Sequence, residues 1–108
     1  MPTPVTAANF LLDASWGVGA SFGVTGTQRR CQLTITSGAA PTLNAFFTFS
    51  YPDGPYPLEP GILARIVGGT GQFADITYQP GTANTVFTYT DIPVTGQTYI
   101  FDLDTVGI

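Results

Sequence analysis

Along most of this chain, hydrophobic and polar residues alternate with period two. From Arg30 to Thr36, Cys31, Leu33 and Ile35 share one side while Gln32, Thr34 and Thr36 share the other. Ala45 to Tyr51 sets Phe47, Phe49 and Tyr51 against Phe46, Thr48 and Ser50; Thr85 to Thr90 sets Phe87 and Tyr89 against Val86 and Thr88. Ile62 to Val67, Phe73 to Tyr78 and Thr98 to Leu103 are similar runs, the last with Tyr99, Phe101 and Leu103 in register. Successive side chains of a strand point to opposite faces, so each run predicts a half-buried β-strand, and no window repeats apolar residues at helical spacing. Clusters of Gly, Pro, Asn and Asp punctuate the runs. The densest is Pro52 to Gly61, whose prolines cannot donate to a ladder and so predict an irregular crossover.

The expected fold is all-β: an antiparallel β-sandwich or jelly-roll-like barrel of about six to eight strands, over residues 28–108. Residues 1–27 read differently. Phe10-Leu11-Leu12 and Trp16 are apolar anchors, but Gly17, Gly19, Gly23 and Gly26 interrupt regular structure. The expectation is an extended N-terminal arm with one short strand near Ala8 to Leu12. Such an arm has no core of its own, so its aromatics dock on this domain or on a neighbouring subunit.

Charge changes the picture more than hydropathy does. Among 108 residues there is no lysine and no histidine, with three arginines and seven acids, and 9% of residues are charged; a soluble domain usually carries about 25%. A surface so short of ions, on a chain that is 44% apolar, is poorly guarded against association, which predicts a unit packed against copies of itself or other subunits. The net charge of −4 and the lack of a basic cluster exclude a nucleic-acid partner, Arg29-Arg30 being the only adjacent basic pair. No stretch approaches the roughly 20 apolar residues of a membrane span, and the N-terminus lacks the basic and apolar regions of a signal peptide.

Candidate chemistry is sparse. Cys31 has no histidine to activate it and reads as a small buried hydrophobe. Asp102 and Asp104, two apart on the last strand, share a face that is solvated, binds Ca²⁺ with help from Asp53 or Asp91, or pairs with arginines of another subunit. Paired carboxylates could also serve glycoside cleavage, but any of the acids would qualify and so small a domain leaves little room for a cleft. Gly68-Gly69-Thr70-Gly71 lacks the lysine and helix of a phosphate loop and reads as a β-turn. Trp16, Tyr51, Tyr56 and Tyr78 lie near loops or strand ends, where aromatics stack on sugars or fill interface pockets. Arg65, mid-strand among apolar neighbours, is expected either on the outer face or bridging subunits, with Asp75, Asp102 or Asp104 of another chain as its partner. The candidate interface residues are therefore Phe10, Leu12, Trp16, Phe22, Arg65, Asp102 and Asp104. No catalytic residue, cofactor site or metal site is assigned, and the chain is read as non-enzymatic.

Several segments, Gly26-Thr27, Leu33-Thr34-Ile35-Thr36-Ser37-Gly38, Phe47-Thr48-Phe49, Tyr56, Phe87-Thr88-Tyr89 and the run Pro93 to Phe101, together resemble a small β domain of tailed-phage virion proteins. The resemblance spans about three-quarters of the chain. It implies a trimeric domain of a tail-fibre end or a capsid exterior, with no catalytic residues. Fibre-tip domains end longer polypeptides, whereas this chain reads as complete with only a short arm upstream. The favoured expectation is thus a capsid cement or decoration protein, made in the host cytoplasm and bound to the major capsid protein on the outside of the virion. The alternative is a tail-fibre or receptor-binding domain that takes carbohydrate.

Overall fold

A computed structural model describes residues 3–69 and 76–106, and every structural statement below concerns those residues. Eight strands form two antiparallel sheets of four. They are β1 (Phe10–Leu12), β2 (Ser21–Gly26), β3 (Arg30–Thr36), β4 (Phe46–Ser50), β5 (Gly61–Gly69), β6 (Ile76–Pro80), β7 (Asn84–Tyr89) and β8 (Thr98–Val106). One sheet has the order β1-β4-β7-β6 and the other β2-β3-β8-β5. The sandwich form of the expected fold is the observed one.

Each alternation read from the sequence lands on this framework. Cys31, Leu33 and Ile35 of β3 are buried, as are Phe47 and Phe49 of β4, Phe87 and Tyr89 of β7, and Tyr99, Phe101 and Leu103 of β8. The inward aromatics meet between the sheets: Phe47 stacks on Phe87 at 5.2 Å and reaches Phe101 of the opposite sheet at 5.4 Å. Gly68 and Gly69 prolong β5 past the expected turn, with a bulge between Ile66 and Gly68. Thr70 and Gly71 of that turn, and residues 73–75 of the expected strand Phe73 to Tyr78, lie outside the described residues.

The division at residue 27 needs correction. The expected arm supplies one edge strand to each sheet: β1 pairs with β4, and β2 pairs along its length with β3. Between them the chain crosses from sheet to sheet through a 3₁₀ turn, Ala14–Trp16, capped by Asp13, whose carboxylate accepts from the Ser15 N–H at 2.9 Å. That turn drives Trp16 into the core with no exposed surface, its indole within 6.0 Å of Tyr89, Tyr99 and Phe101. Its Nε1–H donates to the Phe46 carbonyl at 3.2 Å, so the buried indole leaves no donor unmet. Gly17, one of the glycines that suggested an arm, has a local cause at this crossing. Gly17 has φ +108°, and a Cβ on it would lie 2.6 Å from the Gly38 carbonyl carbon; a Cβ on Gly38 would lie 2.2 Å from the Val18 oxygen. Two backbones touch there, which only glycine permits.

Removing Trp16 would leave a cavity where both sheets meet. We expect Trp16→Ala to cost about 3–5 kcal/mol, a large share of the roughly 5–15 kcal/mol available to a domain. Urea unfolding monitored by far-UV circular dichroism measures it.

Candidate functional site

The two outer faces of the sandwich differ in charge. On the β2-β3-β8-β5 sheet, the register sets Arg30 opposite Asp104 and Arg65 opposite Asp102. Nη2 of Arg65 and Nη2 of Arg30 both reach Asp102 Oδ2, at 2.9 and 3.1 Å, and Arg30 Nε lies 3.4 Å from Asp104 Oδ1. Asp102 is 4% exposed although it belongs to the outward set of β8, because the two arginine side chains lie over it while remaining well exposed themselves. Burial pushes its carboxyl up, but the hydrogen bonds and charges of Arg65 and Arg30 outweigh that and hold it below the usual carboxylate range. The same contacts, led by the Asp102 hydrogen bond, raise the Arg30 guanidinium. Two cations and two anions leave the cluster neutral.

The strands of the other sheet bring no charge to its outer face, Asp13 standing at its rim just beyond β1. Not one residue of β1, β4, β7 or β6 is ionisable to a charged form near neutrality. Its outward row runs Leu11, Thr48, Val86 and Gln79 across the four strands, with Phe46, Thr88 and Thr77 beside it. Leu11 is 72% and Phe46 38% exposed, and together with Leu12, Asp13, Ala14 and Thr48 they line a shallow hollow of about 160 Å³. A second hollow, of about 290 Å³, opens beside β5, lined by Leu63, Ala64, Arg65, Tyr78 and Asp104.

Several expected interface residues are used up inside their own chain. Trp16 and Phe10 belong to the core, Phe10 stacking on Phe49 at 4.8 Å. Leu12 and Phe22 are half-buried against that core. The expected inter-chain partner of Arg65 is corrected too: its carboxylate is Asp102 of the same chain, brought alongside by the β5–β8 register. Asp75, another candidate, lies outside the described residues. The Ca²⁺ alternative for Asp102 and Asp104 loses the Asp102 oxygen that both arginines occupy, and among the described residues no three of His, Cys, Asp and Glu gather around one point. Asp53 accepts from the Thr3 hydroxyl and Asp91 from the Ile92 N–H. Cys31 is 2% exposed, and burial, reinforced by the charges of Asp102 and Asp104, pushes its thiol up to about 12. Leu11 and Phe46 are not among the expected interface residues, although each falls out of phase with an inward neighbour.

Comparison with protein-family models, curated proteins and solved structures found no match.

Two measurements follow from this geometry. The folded-state pKa of Asp102 is depressed, so its ion pairs stabilise the fold above the ordinary carboxylate pKa, and that contribution disappears as pH falls through the lower folded value. Asp102→Asn should therefore lower stability at neutral pH by about 1–2 kcal/mol and flatten the acid limb, as read by thermal melts across pH. The Cys31 thiol should resist a disulfide-exchange reagent at pH 8 in the folded protein and react promptly in urea.

Proposed function

We propose that this chain is a non-enzymatic structural protein of a virion, a capsid decoration (cement) protein that stabilises the shell by bridging capsomers from outside. One observation carries the reading: the four strands of the β1-β4-β7-β6 sheet contribute no charged residue to its outer face, on which Leu11 and Phe46 are exposed, with Asp13 only at the rim. Taking a charge out of water costs several kcal/mol per ion, and this face can be covered without that cost. A stable contact buries about 1,600 Å² in total, and a decoration protein works by burying such area against a shell. The occupant of the face is then the neutral surface of the major capsid protein. The virion setting comes from the sequence resemblance, and the docking face from the distribution of charge.

A receptor-binding virion domain that takes carbohydrate is the second reading. The hollow of about 290 Å³ favours it by placing the half-exposed Tyr78 beside Arg65 and Asp104, an aromatic plane next to a donor and an acceptor.

The two readings part in one experiment. Shells stripped of the protein should recover bound wild-type chain in co-sedimentation, and lose at least about tenfold of that binding (about 1.4 kcal/mol) with Leu11→Lys, while Tyr78→Ala binds as wild type. Undiminished binding by Leu11→Lys would overturn the decoration reading. Retention of the wild-type chain on a saccharide matrix, lost in Tyr78→Ala, would establish the second.

A further inference from the structure

The hollow beside β5 carries hydrogen-bonding groups that their own chain leaves unused. It opens where β5, the edge of one sheet, meets β6, the edge of the other, and Leu63, Ala64, Arg65, Tyr78 and Asp104 line it. The β5–β8 register sets Leu63 opposite Asp104 and Arg65 opposite Asp102, so these four side chains share the outer face of their sheet. Tyr78 comes from the other sheet. It pairs with Phe87 across the β6–β7 register, their ring centroids 6.0 Å apart, yet it stays 44% exposed. Ala64, half-buried, fills little of the gap.

Arg65 commits one nitrogen, Nη2, to Asp102; among the described residues its Nη1 and Nε meet no acceptor. Asp104 is the reverse case. Among the described residues nothing donates a hydrogen bond to its carboxylate, because the nearest cation, Arg30 Nε, lies 3.4 Å from Oδ1 without hydrogen-bond geometry. Oδ1 is itself buried, which leaves Oδ2 as the oxygen open to a ligand. The hollow therefore offers spare donors, a spare acceptor and the face of an aromatic ring held in place by Phe87.

We propose that the hollow takes one terminal, uncharged pyranose ring, with two adjacent hydroxyls read by Asp104 and Arg65 and a C–H face lying on Tyr78. The inference rests on the carbohydrate reading of this hollow and names the class of sugar. Charge selects a neutral ligand. Arg30, Arg65, Asp102 and Asp104 sum to zero, so an anion or a cation finds no net attraction to offset its lost hydration. The free groups select hydroxyls. A hydroxyl both donates and accepts, so one of an adjacent pair donates to Asp104 Oδ2 while the other accepts from Arg65. A purely apolar ligand would instead cover that carboxylate unpaired, at a desolvation cost. Tyr78 supplies the flat apolar surface on which a sugar ring rests. Size selects a single ring: pockets for drug-sized ligands occupy about 300–1,000 Å³, and this one measures about 290 Å³.

Titration calorimetry of the full chain with methyl glucoside, methyl galactoside and methyl mannoside tests it. Ligands of about a dozen heavy atoms bind weakly, so the titrations extend to about 50 mM. At least one glycoside should bind, and its 6-amino and 6-carboxylate analogues should bind no better. Deleting the hydroxyls of that glycoside one at a time should cost about tenfold at two adjacent positions. In Asp104→Ala, affinity should fall about tenfold and one of those two penalties should vanish. A merely structural Asp104 would lower affinity but leave both penalties in place. The deoxy series uses the wild-type chain, so it decides the matter even if Asp104→Ala folds poorly. A charged analogue that binds better, the absence of an adjacent pair of penalties, or binding lost in Tyr78→Ala but unaltered in Asp104→Ala would overturn this inference and leave the carbohydrate reading standing. Binding of none of the glycosides would overturn both.

Discussion

The packing of Trp16 between the sheets is the constraint on which the remaining architecture depends. A single indole touches Tyr89 from one sheet and Tyr99 and Phe101 from the other, while its N–H is held by the Phe46 carbonyl. The residues before Trp16 are thereby fixed to β4 and those after it are directed toward β3. β1 and β2 consequently occupy opposite sheets although only eight residues separate them. The backbone contact of Gly17 with Gly38 completes this crossing. The indole thus reinforces what β1–β4 and β2–β3 pairing and the burial of Phe10 also provide, the anchoring of the first 27 residues to the domain.

A second economy concerns charge. Arg30 and Arg65 are spent on one buried carboxylate, with Asp104 as a minor partner, so the cluster offers little net field to the outside. Desolvating Asp102 is tolerable only because both guanidiniums stay wet and donate to it. The opposite sheet needs no such arrangement, having nothing to neutralise. Together these features give a molecule whose two broad faces favour different neighbours. The strands of β1-β4-β7-β6 bring no charge to its outer face, whereas the outer face of β2-β3-β8-β5 carries the self-neutralised cluster.

Much of the fold was legible in the sequence because period two is a strong signal where one face is buried. Cys31-Leu33-Ile35, Phe47-Phe49 and Tyr99-Phe101-Leu103 announced both their strands and their inward sides. β2 was hidden: with Gly23 and Gly26 in it, the alternation of Phe22 and Val24 reads as part of an extended arm. The seat of Trp16 was also out of reach, since a 3₁₀ turn of three residues leaves no periodic trace. For Asp102, alternation told its face but not its burial, because what covers it comes from β3 and β5, distant in sequence and adjacent only through pairing. The uncharged strands could be read one by one, yet their gathering into a single sheet is a property of topology.

The position of β8 bears on how the chain is made. It is the last strand, yet it lies inside its sheet, between β3 near the start and β5 in the middle. Once β3 and β5 have been made, no strand joins them until β8 follows. Every pairing in that sheet except the β2–β3 hairpin waits for β8. Closure of this sheet therefore waits on β8, whose Phe101 meets Phe47 of the opposite sheet only once it is in place.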